Sequence, residues 1–366
     1  MTPDTPPAQV EPPPAAATAT EIHYGGPDQP PGALRDLLKA KVDAAPPGSE
    51  IIWATYYFRD QQLAESLVAA QRRGVRVRVR VEGKPRRGAA NDTVIETLRA
   101  GLGDGLRAKR SWPWDGHLHA KVYAFSGPQP EVLIGSFNPS GDADDPDPAL
   151  IADIGDQDRG ENLLVAFRDP RAAAALRRQA ERLWLGKSGR FSRRENRAVN
   201  LESVRLYYFP RLRPDVVERR VAQLGPGDSL QGAISHMDDG PFARQVAAAA
   251  RRGVDVELVV HDTTRRVPNG VVRSLEEAGA TVRRYCTPDS LPMHAKFVLI
   301  DRNGHRSAWF GSLNYTLGSR LLNKEILARS TDDTVVNDLG ARFHAIAGAA
   351  DRQAALCGGE RRASGR

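Results

Sequence analysis

His294, Lys296 and Asp301 stand in the spacing H-x-K-x4-D, followed by Gly311-Ser312-Leu313-Asn314 and then by Asn323-x-Glu325. An imidazole and an ammonium two residues apart suit attack on an anionic centre. The ring serves as nucleophile or proton shuttle, and the ammonium offsets phosphoryl charge. The Gly-Ser-x-Asn turn offers backbone N–H groups, a hydroxyl and an amide to non-bridging phosphate oxygens. The same set recurs upstream as His119-x-Lys121, then Gly135-Ser136-Phe137-Asn138, with Glu161 as the downstream acid. Two imidazoles are what a phosphodiester needs, one attacking phosphorus in line and one protonating the departing alcohol. Ser136, Asn138, Ser312 and Asn314, with Lys121 and Lys296, are therefore expected to hold the phosphate oxygens. Glu161 and Glu325 are expected to accept the ring N–H of the two histidines, fixing tautomer and raising basicity.

The repeat extends beyond these motifs. The stretch from Gly48 parallels the stretch from Gly227, and the offsets at that point, at the histidines and at the Gly-Ser pairs are 179, 175 and 176 residues. Concordant offsets mark an internal duplication. The chain resembles a two-motif member of the phospholipase D superfamily over about residues 21 to 350. Ser126 replaces the motif Asp in the first half, and Arg159-Gly160 precedes Glu161 where the pattern has Asn-x. The Asn-to-Glu gap is 23 residues in the first half and 11 in the second. The resemblance implies chemistry without a metal or other cofactor, with His119 as nucleophile and His294 as acid/base. With Glu orienting each ring, Asp301 is expected to be structural. The segment GSRLLNKE also resembles the cardiolipin-synthase type, without the membrane anchors of many such enzymes.

The elements that must position these residues follow from periodicity. Phe297 to Ile300 is a short apolar run, predicting a buried strand with His294 and Lys296 on one side. Strands are expected at Ile51–Tyr57, Val75–Val81, Glu161–Phe167, Val204–Phe209, Leu230–Ser235 and Val254–Val260, with EIHY from Glu21 as an edge strand. Helices are expected at Pro31–Ala45, Gln61–Arg73, Thr93–Ala100, Asp169–Leu185, Pro214–Leu224, Phe242–Arg252, Asn269–Ala278 and Asp333–Ala349. Such alternation predicts an α/β chain of two similar α/β/α-sandwich domains, residues 21–195 and 196–355, with mostly parallel sheets. A pseudo-twofold axis would set the active site at their interface, complete in a monomer. Arg76, Arg78 and Arg80 alternate with valines and are read as one ion-paired or solvated strand face.

Composition bounds the rest. At 366 residues and 40% hydrophobic content, the chain can bury two ordinary domain cores. A net charge of +7 and a pI near 9.6 favour anionic partners. No apolar run approaches 18 residues, which argues against a transmembrane segment and leaves peripheral membrane contact open. Residues 1–20 are rich in Pro, Ala and Thr and are expected to be disordered, with a loose tail at 356–366. No signal-peptide pattern is visible, so secretion after removal of a leader and a cytoplasmic location both stay open. Cys286 and Cys357 do not decide it. His117 and His119 form H-x-H, but no cysteine or third clustered His makes a metal site of it. Trp112 and Trp114 could wall a pocket or anchor a loop. An acidic insertion, Pro139 to Gly160, follows the first Gly-Ser turn and would repel a long polyanion. The function expected is therefore a phospholipase D-type phosphodiesterase that hydrolyses or transfers phospholipid head groups through a phosphohistidine. The alternative is a metal-independent nuclease acting on nucleic acid.

Overall fold

A computed structural model describes residues 20–109, 115–141, 159–288 and 291–355. Each half is a mixed sheet with helices packed against it. In the first half, β1 (Thr20–Gly25), β2 (Glu50–Thr55), β3 (Arg76–Glu82), β4 (Leu106–Lys109), β5 (Val122–Ser126), β6 (Glu131–Gly135) and β7 (Asn162–Phe167) lie in the order β1-β7-β6-β5-β2-β3-β4. The helices are α1 (Ala33–Asp43), α2 (Gln61–Arg72), α3 (Asp92–Leu102) and α4 (Pro170–Trp184).

The second half repeats the plan. Its strands are β8 (Val199–Asn200), β9 (Val204–Phe209), β10 (Ser229–Ile234), β11 (Asp255–His261), β12 (Thr281–Tyr285), β13 (Lys296–Arg302), β14 (His305–Gly311) and β15 (Glu325–Ser330). They lie in the order β12-β11-β10-β13-β14-β15-β9-β8. Helices α5 (Val216–Val221), α6 (Pro241–Arg251), α7 (Asn269–Glu277), α8 (Leu317–Leu321) and α9 (Asp333–Arg352) complete it.

Local chemistry accounts for the helix limits. Asp60 caps α2 by accepting the Leu63 N–H, Leu63 and Leu67 face inward one turn apart, and Gly74 turns the chain at φ 94°. Asp169 caps α4 ahead of a first-turn Pro170. Asp332 caps α9.

The expectation of mostly parallel sheets is corrected. Among the described residues, only β2–β3 and β3–β4 pair in parallel in the first sheet, and only β10–β11 and β11–β12 in the second. The remaining pairings are antiparallel, because each H-x-K strand turns back as a hairpin into the strand that carries the Gly-Ser turn. Strand–helix alternation governs one flank of each sheet, and a meander the other.

Among the described residues, three large apolar cores and one small cluster, Tyr56, Tyr57 and Ala90, are buried. One lies outside each sheet, built on α1–α3 or on α5–α7. The third lies between the sheets, where α4 and α9 meet the inner faces of both. Phe167 stacks on Phe310 there, ring centroids 6.3 Å apart. The halves therefore share a core.

Candidate active site

Lys121 immediately precedes β5 and Lys296 opens β13, with each histidine two residues upstream in extended chain. These are central strands, so both motifs start from rigid positions. Each His segment is then bridged to the opposite half. Leu118 pairs in parallel with Lys324, and Met293 with Glu161. The His119 N–H donates to Lys324 O at 3.0 Å, and the His294 N–H donates to Glu161 O at 3.0 Å. Each lysine ammonium donates to the carbonyl of its own histidine, Lys121 at 2.7 Å and Lys296 at 2.6 Å.

The imidazoles are held across the interface by unlike partners. Nδ1 of His119 lies 3.0 Å from Oε2 and 2.9 Å from Oε1 of Glu325, a carboxylate of the second half. Nδ1 of His294 lies 3.0 Å from Oδ1 of Asn162, a neutral amide of the first half. In both cases the acceptor takes the Nδ1–H and leaves Nε2 for chemistry.

The expected role of Glu161 is thereby corrected. Its carboxylate accepts from the Tyr285 hydroxyl at 2.8 Å and from Arg342 at 2.6 Å, and it is the next residue, Asn162, that reaches the ring. Side chains alternate along an extended chain, so one step in register exchanges the face. The Gly-Ser turns set this register. Ser136 N–H donates to Leu163 O just as Ser312 N–H donates to Ile326 O, which places Asn162 opposite Glu325.

Ser136 and Ser312 need a second correction. Each hydroxyl has one proton to donate. Ser136 gives it to Asn162 Oδ1 at 3.0 Å, and Ser312 to Glu325 Oε2 at 2.5 Å. Both oxygens also accept a strand N–H, from Leu163 and Ile326. The serines therefore buttress the groups that hold the histidines and have no donor left for phosphate. The asparagines are placed differently. Asn138 Oδ1 is fixed by the Thr55 hydroxyl at 3.0 Å and by the Tyr56 and Tyr57 N–H groups, which turns its amide NH2 the other way. Asn314 is buried, and among the described residues its Oδ1 has no hydrogen-bond partner.

Burial sets the protonation states. It drives the His119 ring down to about 4, against the upward pull of Glu325. Burial, then Lys296 and Lys121, hold His294 well below its ordinary 6.5. Burial would raise Glu325, but His119, Lys121 and the Ser312 hydroxyl bring it below the usual carboxylate value. Lys296 acts on His119, while Lys121 and His119 act on His294, so both rings share one electrostatic site. Both are neutral at neutral pH. An arriving phosphodiester anion would favour the protonated form of whichever ring acts as acid.

Several further expectations find their places. Asp301 lies at the far end of β13, where it accepts the Gly304 N–H at 2.8 Å in the hairpin turn, remote from Lys296. Arg76 and Arg78 pair with Glu50 at 2.9 Å each, and Arg78 also with Glu181, so those two form an ion-paired face, while Arg80 is buried. Cys286 is disulfide-bonded. Trp112, Trp114, Asp142 to Asp158 and Cys357 lie outside the described residues. Sequence reasoning passed over Tyr56, whose ring lies 5.3 Å from that of His119. It also passed over Lys324, which donates to Asp115 Oδ2, Asp115 O and Gly116 O at 2.8, 2.6 and 2.9 Å. The tyrosine carried no signal of its own. The lysine sits inside the Asn323-x-Glu325 motif at the position counted as free.

Fold and site thus describe two similar mixed-sheet halves whose H-x-K segments are each bridged to the opposite half at one interface. The family model described as cardiolipin synthase, PLD-like domain matches residues 38–184 and 224–347, and the chain belongs to that family. Among solved structures, the phosphatidylserine synthase of Haemophilus influenzae Rd KW20 aligns over 87% of this chain and 84% of its own, at 13% identity and a TM-score of 0.64. The polyphosphate kinase of Porphyromonas gingivalis aligns over 89% of this chain and 50% of its own, at 15% identity and a TM-score of 0.60. The chain thus spans about half the length of the kinase. At these identities the likeness shows the fold alone. No curated protein matches the sequence.

Proposed function

We propose that the protein is a phospholipase D-type phosphodiesterase that removes or exchanges phospholipid head groups through a phosphohistidine. The observation that carries the mechanism is the unlike pairing of the two rings. The Glu325 carboxylate favours positive charge on His119, which its Nε2 acquires on attacking phosphorus. The neutral Asn162 amide orients His294 without raising its basicity to the same degree, which suits a ring that gives up and takes back a proton.

In the first step a bond forms from His119 Nε2 to phosphorus. The bond to the head-group oxygen breaks, and protonated His294 gives its proton to that oxygen. In the second step His294 removes a proton from water or an acceptor alcohol, whose oxygen displaces His119. Lys121, Lys296 and the amides of Asn138 and Asn314 would stabilise the phosphoryl oxygens.

The substrate class rests on different support. Both motifs lie in one chain, the matching family model is described by cardiolipin synthase, and a phosphatidylserine synthase shares the fold over most of both chains. The basic charge favours the second reading, a metal-independent nuclease. Product formation in excess chelator, comparing phosphatidylcholine vesicles with single- and double-stranded DNA, separates the two. Choline release without DNA cleavage is expected. DNA cleavage without choline release would overturn the lipid reading.

A further inference from the structure

Among the described residues, five large apolar side chains are exposed: Leu185, Phe191, Leu212, Leu317 and Leu321. They lie in separate segments of the chain, yet hydrogen bonds draw those segments to one neighbourhood. Phe191, 88% exposed, lies in the short 3-10 turn Arg190–Ser192, six residues after Leu185. Arg193 donates to Leu321 O at 2.6 Å, which brings this segment against α8. Leu317 and Leu321 are one turn apart on that helix and share its outer face. Asn196 donates to Pro210 O at 2.7 Å, two residues before Leu212, which is 64% exposed.

The same neighbourhood borders the site. The Arg190 N–H donates to Asp115 Oδ1 at 3.1 Å, and Asp115 is bound by Lys324, next to Glu325. The same segments carry exposed cations: Lys187, Arg190, Arg194, Arg197 and Arg213. Among the described residues here, Glu195 pairs with Arg182 and Asp115 with Lys324. Exposed apolar side chains gathered at one place mark an interaction surface, and a basic rim selects an anionic one.

We propose that this face docks the enzyme on an anionic phospholipid surface. Phe191, Leu317 and Leu321 would enter the boundary between head groups and acyl chains, the arginines would pair with lipid phosphates, and the segment next to Glu325 and His119 would be held at the layer that contains the scissile bond. A polynucleotide would use the cations but gives an exposed Phe and four Leu no apolar medium to enter.

The inference rests on the phospholipid reading of the site, but its test does not require turnover. The full chain carrying His119→Ala is sedimented with phosphatidylglycerol vesicles and with phosphatidylcholine vesicles. Partition is expected to favour phosphatidylglycerol. Adding Phe191→Asp with Leu321→Asp should weaken it by about tenfold or more, and adding Arg190→Gln with Arg194→Gln should weaken it on phosphatidylglycerol alone. In the otherwise native chain, the same surface changes should leave turnover of a soluble short-chain phosphodiester unchanged. Unaltered partition in the variants would overturn the proposal. So would loss of soluble turnover, or binding to single-stranded DNA, but not vesicles, that is sensitive to Phe191→Asp. Vesicle binding retained with no phospholipid turnover would sink the head-group reading alone.

Discussion

At the scale of single residues, the account turns on a carboxylate facing one imidazole and an amide facing the other. A hydrogen bond to a charged group contributes more than one to a neutral group. Glu325→Gln is therefore expected to lower kcat by about 10²-fold or more, and Asn162→Ala by roughly tenfold, measured on the same substrate. The pH dependence follows from His119. Its free-enzyme value near 4 places the acid limb of kcat/KM at about that pH. Glu325 raises that value, so Glu325→Gln should move the limb to still lower pH. A limb that moves upward would contradict the assignment.

Folding stability carries a related signature. His119 and His261 are each held at about 4 in the fold, against 6.5 ordinarily. Between those values the unfolded chain binds the protons, so stability falls as pH drops from 6.5 to 4. Each ring should contribute on the order of 3 kcal/mol to that loss. His261→Phe should shrink the acid-induced fall in denaturant midpoint, and an unchanged fall would show that ring to be protonated in the fold.

At the scale of elements, the Gly-Ser turn shows how much geometry a motif encodes. A Cβ on Gly311 would stand 2.2 Å from Ile326 O, and one on Gly135 would stand 2.1 Å from Leu163 O. The turn must pass this close for the serine hydroxyl to reach the acceptor that holds a histidine. Gly311→Ala should therefore cost about 2–4 kcal/mol and most of the activity. Gly48→Ala, at a positive-φ site with open space around it, serves as a control for backbone strain alone. Calorimetry of the two variants distinguishes close approach from strain.

Much of this level was legible in the sequence. Val204–Phe209 matches its strand, and Gln61–Arg73 and Asn269–Ala278 miss their helices by one residue each. Apolar periodicity is a local property, and these segments bury one clear face. The strands β6 and β14 escaped because they follow a hairpin and carry no pattern separable from the catalytic strand. Their antiparallel pairing is what turned an expected parallel sheet into a mixed one. At the site, the histidines and lysines could be found because their types and spacing are distinctive. The exchange of Asn162 for Glu161 could not be found from type alone, since an acid seemed the natural partner of a ring. Only strand register decides it.

At the scale of the molecule, the halves are locked by buried charges that cross between them. Arg342, on α9, binds Asp28 Oδ2 at 2.6 Å, Gly25 O at 3.1 Å and Glu161 Oε2 at 2.6 Å. Removing one partner of a buried pair leaves the other charge uncompensated. Arg342→Met should thus cost about 3–5 kcal/mol and disturb His294, since Glu161 O holds that histidine's N–H. Chemical denaturation beside the kcat of the folded fraction checks both effects. Full activity in the surviving fold would dissociate this latch from the site.

The most direct test uses a phosphodiester with a good leaving group, such as bis(p-nitrophenyl) phosphate, which needs little help from an acid. The His294→Ala chain should release about one p-nitrophenol per molecule and stop, with the phosphoryl group found on His119 after quenching. Phosphorylation of another residue, or steady turnover by His119→Ala, would contradict a mechanism in which one half supplies the nucleophile and the other the proton.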